Sequence, residues 1–258
     1  MLRRNLSSAF VAGAYVFPGG AVDTADRSTA TDALVDGLDD ATASTWLGRA
    51  EGGLGFWVAA IRESFEEAGV LLARDAATRA GASPAVVERL VPARAAVAAG
   101  DRPFADVVRD GGLRLDAGCL RVFGHWITPS PAPRRYDTWF FVAPAPAGHA
   151  YVHDDSETIA STWVGPADAL EQARQGDLEL IYPTYRSVEA LSRFETTHDL
   201  FRAVDEAWRE PDQALAEVEG TRAWQVRLPG DDVGAEDRVA DAIAHSTTSH
   251  RRPAREAG

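Results

Sequence analysis

RESFEEAG, residues 62–69, is the stretch that decides the fold. Around it, residues 56–72 carry apolar side chains at helical spacing, which predicts a helix over 56–68 and a strand over 70–72. Gly69 fits the left-handed position that commonly ends a helix. Glu63, Glu66 and Glu67 lie on the side opposite the apolar face, where spacings of three and four residues make their carboxylates neighbours.

This acidic cluster indicates a cation. Three adjacent carboxylates repel one another and raise each other's pKa unless a positive charge lies among them. Mg²⁺ and Mn²⁺ prefer carboxylate oxygens, and Arg62, four residues before Glu66, can orient that side chain. A solvated helix face is the simpler interpretation of such glutamates. The pattern R-E-x-x-E-E-x-G is more specific than that, because it matches by chance about once in 10⁶ positions.

Composition limits the partners. The chain has 258 residues, 39 acidic against 26 basic, and a formal charge of -13. This balance argues against a nucleic-acid backbone or an anionic membrane as the main partner. Cys119 is the only cysteine, and we find neither an 18-residue apolar run nor a signal peptide, so the sequence predicts a cytoplasmic protein. If the chain starts at Met1, the sheet is expected to lack part of an early strand.

A second feature, Phe17-Pro18-Gly19-Gly20, precedes an acidic segment. It is either a tight turn or a place where small residues let the main chain approach a ligand. Residues 24–53 read as an inserted loop with a short helix near 30–35. Further helices are predicted over 84–99, 104–110, 166–175, 183–194 and 199–209, and strands over 120–127, 136–143, 159–164 and 223–228.

These residues resemble the Nudix hydrolases, whose pattern is G-x5-E-x7-R-E-U-x-E-E-x-G-U with U apolar. The matching positions are Gly20, Arg62, Glu63, Glu66, Glu67, Gly69 and Val70. Asp26 replaces the first glutamate and Ser64 an apolar residue. The spacing also departs, because 35 residues separate Asp26 from Arg62 where the family has seven. An insertion therefore splits the motif.

A split motif is similar to the branch that contains organellar coenzyme A diphosphatases and their bacterial relatives. Weaker similarities continue through residues 126–129 and 134–141 to Trp163. An upstream coenzyme A signature is matched in part, by Gly13 and Arg4 but not by Asn5 or Ala9. The resemblance covers about residues 2–194.

The resemblance implies an α/β fold of the Nudix type, an α/β/α sandwich with a mixed curved sheet. It implies a Nudix domain over 1–210 with the inserted loop at 24–53, a helical addition at 75–116, a C-terminal strand and extension at 211–243, and a disordered tail at 244–258. The activity implied is metal-dependent cleavage of the diphosphate linkage in a nucleoside diphosphate derivative, with coenzyme A or acyl-coenzyme A as candidates. A non-catalytic Nudix-like module that senses a nucleotide or binds a partner is the alternative.

The resemblance also assigns roles to the helix. Glu66 and Glu67 would be the principal ligands of Mg²⁺ or Mn²⁺, and Glu63 a further ligand or the group that orients water. Arg62 would hold the carboxylates in place. The main chain of Gly19 and Gly20 would line the metal site.

Outside the helix the candidates carry alternatives. Glu157 is either the general base or part of a solvated turn. Arg134 and Arg135 suit phosphate binding or a structural salt bridge, and Arg4 belongs to the coenzyme A signature. Tyr136 or Trp126 could stack on a base, although core packing is the more common role of such residues. The expected partners are a small nucleotide-diphosphate substrate and, as in many relatives, a second copy of the chain.

Overall fold

The computed structural model describes residues 1–6, 12–128, 135–149, 151, 153, 157–207 and 225–229. Within them the strands are β1 (Leu2–Arg4), β2 (Tyr15–Val16), β3 (Val35–Asp36), β4 (Ala73–Asp75), β5 (Leu113–Asp116), β6 (Arg121–Ile127), β7 (Asp137–Val142), β8 (Thr158–Ser161) and β9 (Gln225–Arg227). The helices of the same residues are α1 (Thr29–Asp32), α2 (Asp40–Trp46), α3 (Leu54–Ala68), α4 (Pro84–Leu90), α5 (Arg94–Ala98), α6 (Phe104–Asp110), α7 (Pro166–Gln175), α8 (Tyr182–Leu191) and α9 (Thr197–Ala207).

The described strands form three sheets of three strands each. Their orders are β2-β1-β8, β3-β5-β4 and β7-β6-β9, and every pairing is antiparallel except that of β3 with β5. The α/β class with mixed strand pairing is therefore as predicted, although the described strands are divided among three sheets. Side-chain packing joins the layers: Trp57 and Phe65 of α3, Leu115 of β5 and Val122 of β6 belong to one buried cluster.

Helix α3 is the predicted glutamate helix, and it begins two residues earlier than expected. Its buried face includes Val58, Ile61 and Phe65. It ends at Gly69, which is left-handed at a φ of 69° and donates its N–H to the Phe65 carbonyl at 3.0 Å. The helix-ending role predicted for Gly69 is confirmed.

The strand predicted over 70–72 is wrong. Leu71 and Leu72 are buried, but β4 begins only at Ala73. The Val70 N–H bonds back to the Ser64 carbonyl at 3.0 Å, so the chain is still completing the helix end at the start of the predicted strand.

The insertion at 24–53 is more ordered than the predicted loop. It contains a 3₁₀ turn over Ala25–Arg27, then α1, β3 and α2. The helix predicted near 30–35 overlaps α1, but residues 35–36 pair in parallel with β5. That pairing partner lies about 80 residues further along the chain, so the local sequence could not indicate it.

The helical addition predicted over 75–116 is only partly helical. The expected helix over 84–99 is divided into α4, a 3₁₀ turn over Val91–Ala93, and α5, because Pro92 has no N–H to donate. Helix α6 has the predicted bounds. Residues 113–116 form strand β5, the central strand of its sheet, and do not belong to the helical addition.

The C-terminal half follows the sequence closely. Helix α7 has the predicted bounds, and α8 begins one residue and ends three residues earlier than predicted. Helix α9 begins two residues early, and its predicted end at 209 lies outside the described residues. Strand β9 pairs with β6. The end of the domain predicted at residue 210 and the tail predicted over 244–258 lie outside the described residues, and the domain boundaries stay predictions. No described helix has both the length and the apolar character needed to span a membrane.

Candidate active site

Arg62 is the centre of the site, and Asp26 is its main partner. The guanidinium of Arg62 donates from Nε and from one terminal nitrogen to the two oxygens of Asp26, each at 3.0 Å. Both side chains are buried, and the N–H of Asp23 also donates to Asp26 at 2.8 Å. The residue at the position of the family's first glutamate therefore reaches Arg62 in spite of the insertion.

The other terminal nitrogen of Arg62 bridges two glutamates. It donates to Glu63 Oε1 at 2.8 Å and to Glu66 Oε1 at 3.0 Å. A further bond runs to the Ala21 carbonyl at 2.8 Å. Burial lowers the pKa of Arg62, but the contacts with Asp26, Glu63 and Glu66 outweigh it and raise the pKa, so Arg62 stays charged. This network is a geometric basis for the role predicted for Arg62, which is to hold the carboxylates in place.

The turn Phe17-Pro18-Gly19-Gly20 lies against the same carboxylates. The Gly19 N–H donates to Glu67 Oε2 at 3.0 Å. A side chain at Gly20 would place its Cβ only 2.3 Å from Glu63 Oε1, so the Glu63 carboxylate occupies the space that this glycine leaves open. The main chain of this turn therefore lies close to the acidic cluster, and its approach to a ligand stays a prediction.

Excess negative charge remains in the cluster in spite of Arg62. Burial, followed by the nearby charges of Glu66 and Glu157, raises the pKa of Glu63, while Arg62 opposes the shift. Burial also raises the pKa of Glu66, with Asp23 and Asp26 adding to it. A bound cation would relieve both carboxylates. The effect on Glu63 also places the exposed Glu157, immediately before β8, within electrostatic range of the site.

The donor set fits a hard divalent cation in its chemistry. Glu63, Glu66 and Glu67 offer carboxylate oxygens beside the main chain of Gly19 and Gly20, which is the ligand type that Mg²⁺ and Mn²⁺ prefer. Within the described residues, no three acidic, histidine or cysteine side chains already converge on one point as a metal would require. The Glu63 and Glu66 carboxylates accept hydrogen bonds from Arg62, and the Glu67 carboxylate accepts the Gly19 N–H.

Of the remaining predicted residues, those that the structure describes lie outside α3. Arg4, in β1, has its Nε atom buried without a hydrogen-bond partner among the described residues. Arg135 Nε donates to the Thr128 carbonyl at 3.1 Å, and Tyr136 is 40% exposed. Arg134 lies outside the described residues. Trp126 is buried in the core, as the more common role of such residues suggests.

Two features of the site were not visible in the sequence. Arg94 of α5 is buried and donates to the main-chain carbonyl of Glu66, and nothing in the alanine-rich segment around it indicates this contact. A cavity of about 410 Å³ lies on the other side of the Asp26–Arg62 pair, between the insertion and the segment 97–109. Asp23, directly before the insertion, was visible only as one of several acidic residues between positions 23 and 40.

An upstream acidic residue that holds the helix arginine, with the helix carboxylates against a glycine turn, defines the class as a Nudix hydrolase. The family model of the NUDT19 Nudix domain matches residues 41–191. This matched range begins after Gly20 and Asp26, so the structure is what joins those two residues to the helix. The chain belongs to this family of Nudix hydrolases and is an enzyme of that class.

Individual relatives agree. The acyl-coenzyme A diphosphatase NUDT19 of Gallus gallus is 30% identical in an alignment of 273 positions, gaps included, that covers 92% of this chain and 72% of the relative. The protein of the same name from Homo sapiens is 28% identical in an alignment of 272 positions with the same coverage. A NUDIX hydrolase from Alicyclobacillus acidocaldarius is similar in structure, with a TM-score of 0.59 and 26% identity, covering 78% of this chain and 86% of that one. The predicted Nudix fold is confirmed.

Proposed function

We propose that this chain is a divalent-metal-dependent diphosphatase that hydrolyses the diphosphate linkage of coenzyme A or acyl-coenzyme A. One observation carries the proposal: Arg62 joins Asp26, from the upstream half of the motif, to Glu63 and Glu66 of the helix. The names of the relatives from Gallus gallus and Homo sapiens support the substrate class. The acidic cluster with raised pKa values supports the need for a metal ion.

The helix would hold the ion. Glu66 and Glu67 are the proposed principal ligands of Mg²⁺ or Mn²⁺, and Glu63 is a further ligand or the group that orients water. When bound, the ion neutralises charge on the phosphoryl oxygens and so lowers the barrier to attack at phosphorus. Arg62 keeps Glu63 and Glu66 on one side of the helix, and the main chain of Gly19 limits the movement of Glu67.

Glu157 is the proposed general base. It would accept a proton from the water that attacks phosphorus, while the bridging oxygen leaves with the other phosphate. Its charge adds to the effects that raise the pKa of Glu63, so the two carboxylates lie within electrostatic range of each other. The loop that carries Glu157 is held to β1, because the Asn5 N–H donates to the Glu157 carbonyl at 2.8 Å.

Substrate binding would use cationic and aromatic side chains that lie outside helix α3. Arg4 offers a cationic side chain from β1, next to the loop of Glu157. Arg134, Arg135 and Tyr136, which directly precede β7 in the chain, are proposed to contact phosphate or base. Homodimerisation and a cytoplasmic location remain predictions from the sequence.

A small substrate panel tests the function. Coenzyme A, acyl-coenzyme A, NADH and ADP-ribose are each incubated with the protein and Mg²⁺ or Mn²⁺, and products are separated by chromatography. We expect turnover of coenzyme A or its acyl form and none in excess chelator. Turnover confined to NADH or ADP-ribose would contradict the substrate class, and activity in chelator would contradict the metal requirement.

Glu67→Gln tests the metal assignment. The amide retains an oxygen that can accept the Gly19 N–H, so the fold should be kept while a charged ligand is lost. Turnover should fall by several orders of magnitude. Glu88→Gln, on the exposed face of α4, is the matched control and should keep wild-type rates. Wild-type activity in Glu67→Gln would refute the assignment.

A further inference from the structure

The C-terminal end of α3 is held by a buried arginine from a different segment. Arg94, at the start of α5, donates to the Glu66 carbonyl oxygen from Nε at 2.9 Å and from a terminal nitrogen at 2.6 Å. Only 8% of Arg94 is exposed. A buried guanidinium is unfavourable unless its donors are satisfied, so this contact specifies where α5 packs against α3.

The Glu66 carbonyl needs such a donor. In a continuing helix the N–H of Val70 would bond to it, but that N–H bonds to the Ser64 carbonyl instead, and the Gly69 N–H takes the Phe65 carbonyl. Carbonyls at this end of a helix also carry partial negative charge, which a cation complements. Arg94 therefore caps the helix from outside.

The capped carbonyl belongs to the peptide unit that joins the two proposed metal ligands. That unit is planar and contains the Cα atoms of both Glu66 and Glu67, so fixing its oxygen fixes its orientation. The side chain of Glu66 is held independently by Arg62 at 3.0 Å. Glu66 is thus bound by one buried arginine at its main chain and by another at its carboxylate.

We propose that Arg94 is a positioning residue for the metal-binding carboxylates of Glu66 and Glu67, acting through the peptide unit between them. The inference rests on the proposed function, since positioning matters only if these carboxylates bind a metal. It also gives the segment from α4 to α5, within the helical addition predicted over 75–116, a role in the site. Loss of partners behind metal ligands typically weakens metal affinity by about 10–100-fold.

The test compares Arg94→Lys and Arg94→Gln with two matched controls. Arg89→Gln changes an exposed arginine on α4 of the same addition. Asp40→Asn weakens the other end of the same helix, where Asp40 accepts the Leu54 N–H at 2.9 Å and the Gly52 N–H at 3.0 Å. Folding is checked by circular dichroism and thermal unfolding. Mn²⁺ binding is measured directly, by the electron paramagnetic resonance signal of the free ion, at a temperature where every variant is folded.

We expect Arg94→Gln to raise the Kd for Mn²⁺ and the Mn²⁺ concentration for half-maximal turnover by about 10-fold or more. Arg94→Lys, which keeps a charge and a donor, should lie between it and wild type. The substrate KM at saturating metal should stay within about twofold of wild type. Asp40→Asn should lower the thermal midpoint while leaving the Kd for Mn²⁺ within about twofold, and Arg89→Gln should change neither.

The outcomes separate this inference from the proposed function. If Arg94→Gln loses thermal stability as Asp40→Asn does but binds Mn²⁺ like wild type, Arg94 only stabilises the fold and the proposal fails. If wild type binds Mn²⁺ but turns over none of the panel, the proposed function fails and the Kd values still decide the role of Arg94. Wild-type protein that binds no Mn²⁺ overturns both.

Discussion

Removing the carboxylate of Asp26 should destabilise the protein far more than removing an ordinary surface charge. In Asp26→Ala, Arg62 loses two hydrogen bonds of 3.0 Å, and the Asp23 N–H loses its acceptor. Arg62 cannot move to water without breaking its bonds to Glu63, Glu66 and the Ala21 carbonyl. Part of a buried guanidinium is then left without a partner.

The magnitude follows from that geometry. Breaking a buried ion pair by removing one partner destabilises by about 3–5 kcal/mol. The carboxylates of Glu63, Glu66 and the more distant Asp23 still compensate the charge of Arg62, so we expect the lower end, about 3 kcal/mol. For a chain of this size the melting midpoint should fall by roughly 6–12 °C. Asp26→Glu keeps the charge but adds a methylene at a buried site, and should lose about 1–2 kcal/mol.

Urea unfolding and thermal scans in excess chelator measure the effect without stabilisation by bound metal. Asp106→Ala is the matched control, because Asp106 pairs with Arg109 at 2.5 Å with both side chains about half exposed. Its removal should change stability by less than about 1 kcal/mol. If Asp26→Ala lost no more stability than Asp106→Ala, the buried pair would not be the link between the two halves of the motif.

Three further perturbations test other parts of the site and fold. Gly20→Ala should lower kcat at an unchanged melting midpoint, because its Cβ displaces the Glu63 carboxylate, whereas Gly81→Ala, with no atom within 4 Å, should leave kcat unchanged. Glu66→Gln should raise the melting midpoint of metal-free protein near pH 8, and this gain should shrink toward pH 4. The raised pKa means that the ionised carboxylate disfavours the fold above that pKa and that protonation removes the penalty; a gain that grew on acidification would contradict the sign. Burial, then the charge of Asp116, raises the pKa of Cys119 to about 12, so iodoacetamide at pH 8 should alkylate it about 10³-fold more slowly than a free thiol, and an equal rate would show that the thiol is not shielded.

The glutamate helix and its end could be predicted from the sequence because their signals are local. The apolar face of α3, the spacing of its carboxylates and the left-handed Gly69 each depend on residues within a few turns. The same holds for α6 and α7, whose bounds were predicted without error. Asp26 was identified through the resemblance, and its contact with Arg62 at 3.0 Å gives that assignment a physical basis.

Several of the errors concern contacts between distant segments. Strand β3 is two residues long, and it exists because β5 supplies hydrogen bonds from about 80 positions further along the chain. The contact of Arg94 with the Glu66 carbonyl depends on how α5 packs against α3, which no periodicity encodes. Arg135 has a side chain suited to phosphate, but its Nε donates to the carbonyl of Thr128, the residue that follows β6.

The split motif works because the insertion is attached to the helix at both of its own ends. Near its start, Asp26 binds Arg62 in the middle of α3. Near its end, Asp40 and Ser44 of α2 accept the N–H groups of Gly52, Gly53 and Leu54 as α3 begins. The entropic cost of closing a loop rises only slowly with loop length. Extra residues between two fixed points therefore change the free energy of folding little. The insertion can therefore vary in length as long as these two attachments hold Gly20 against Glu63.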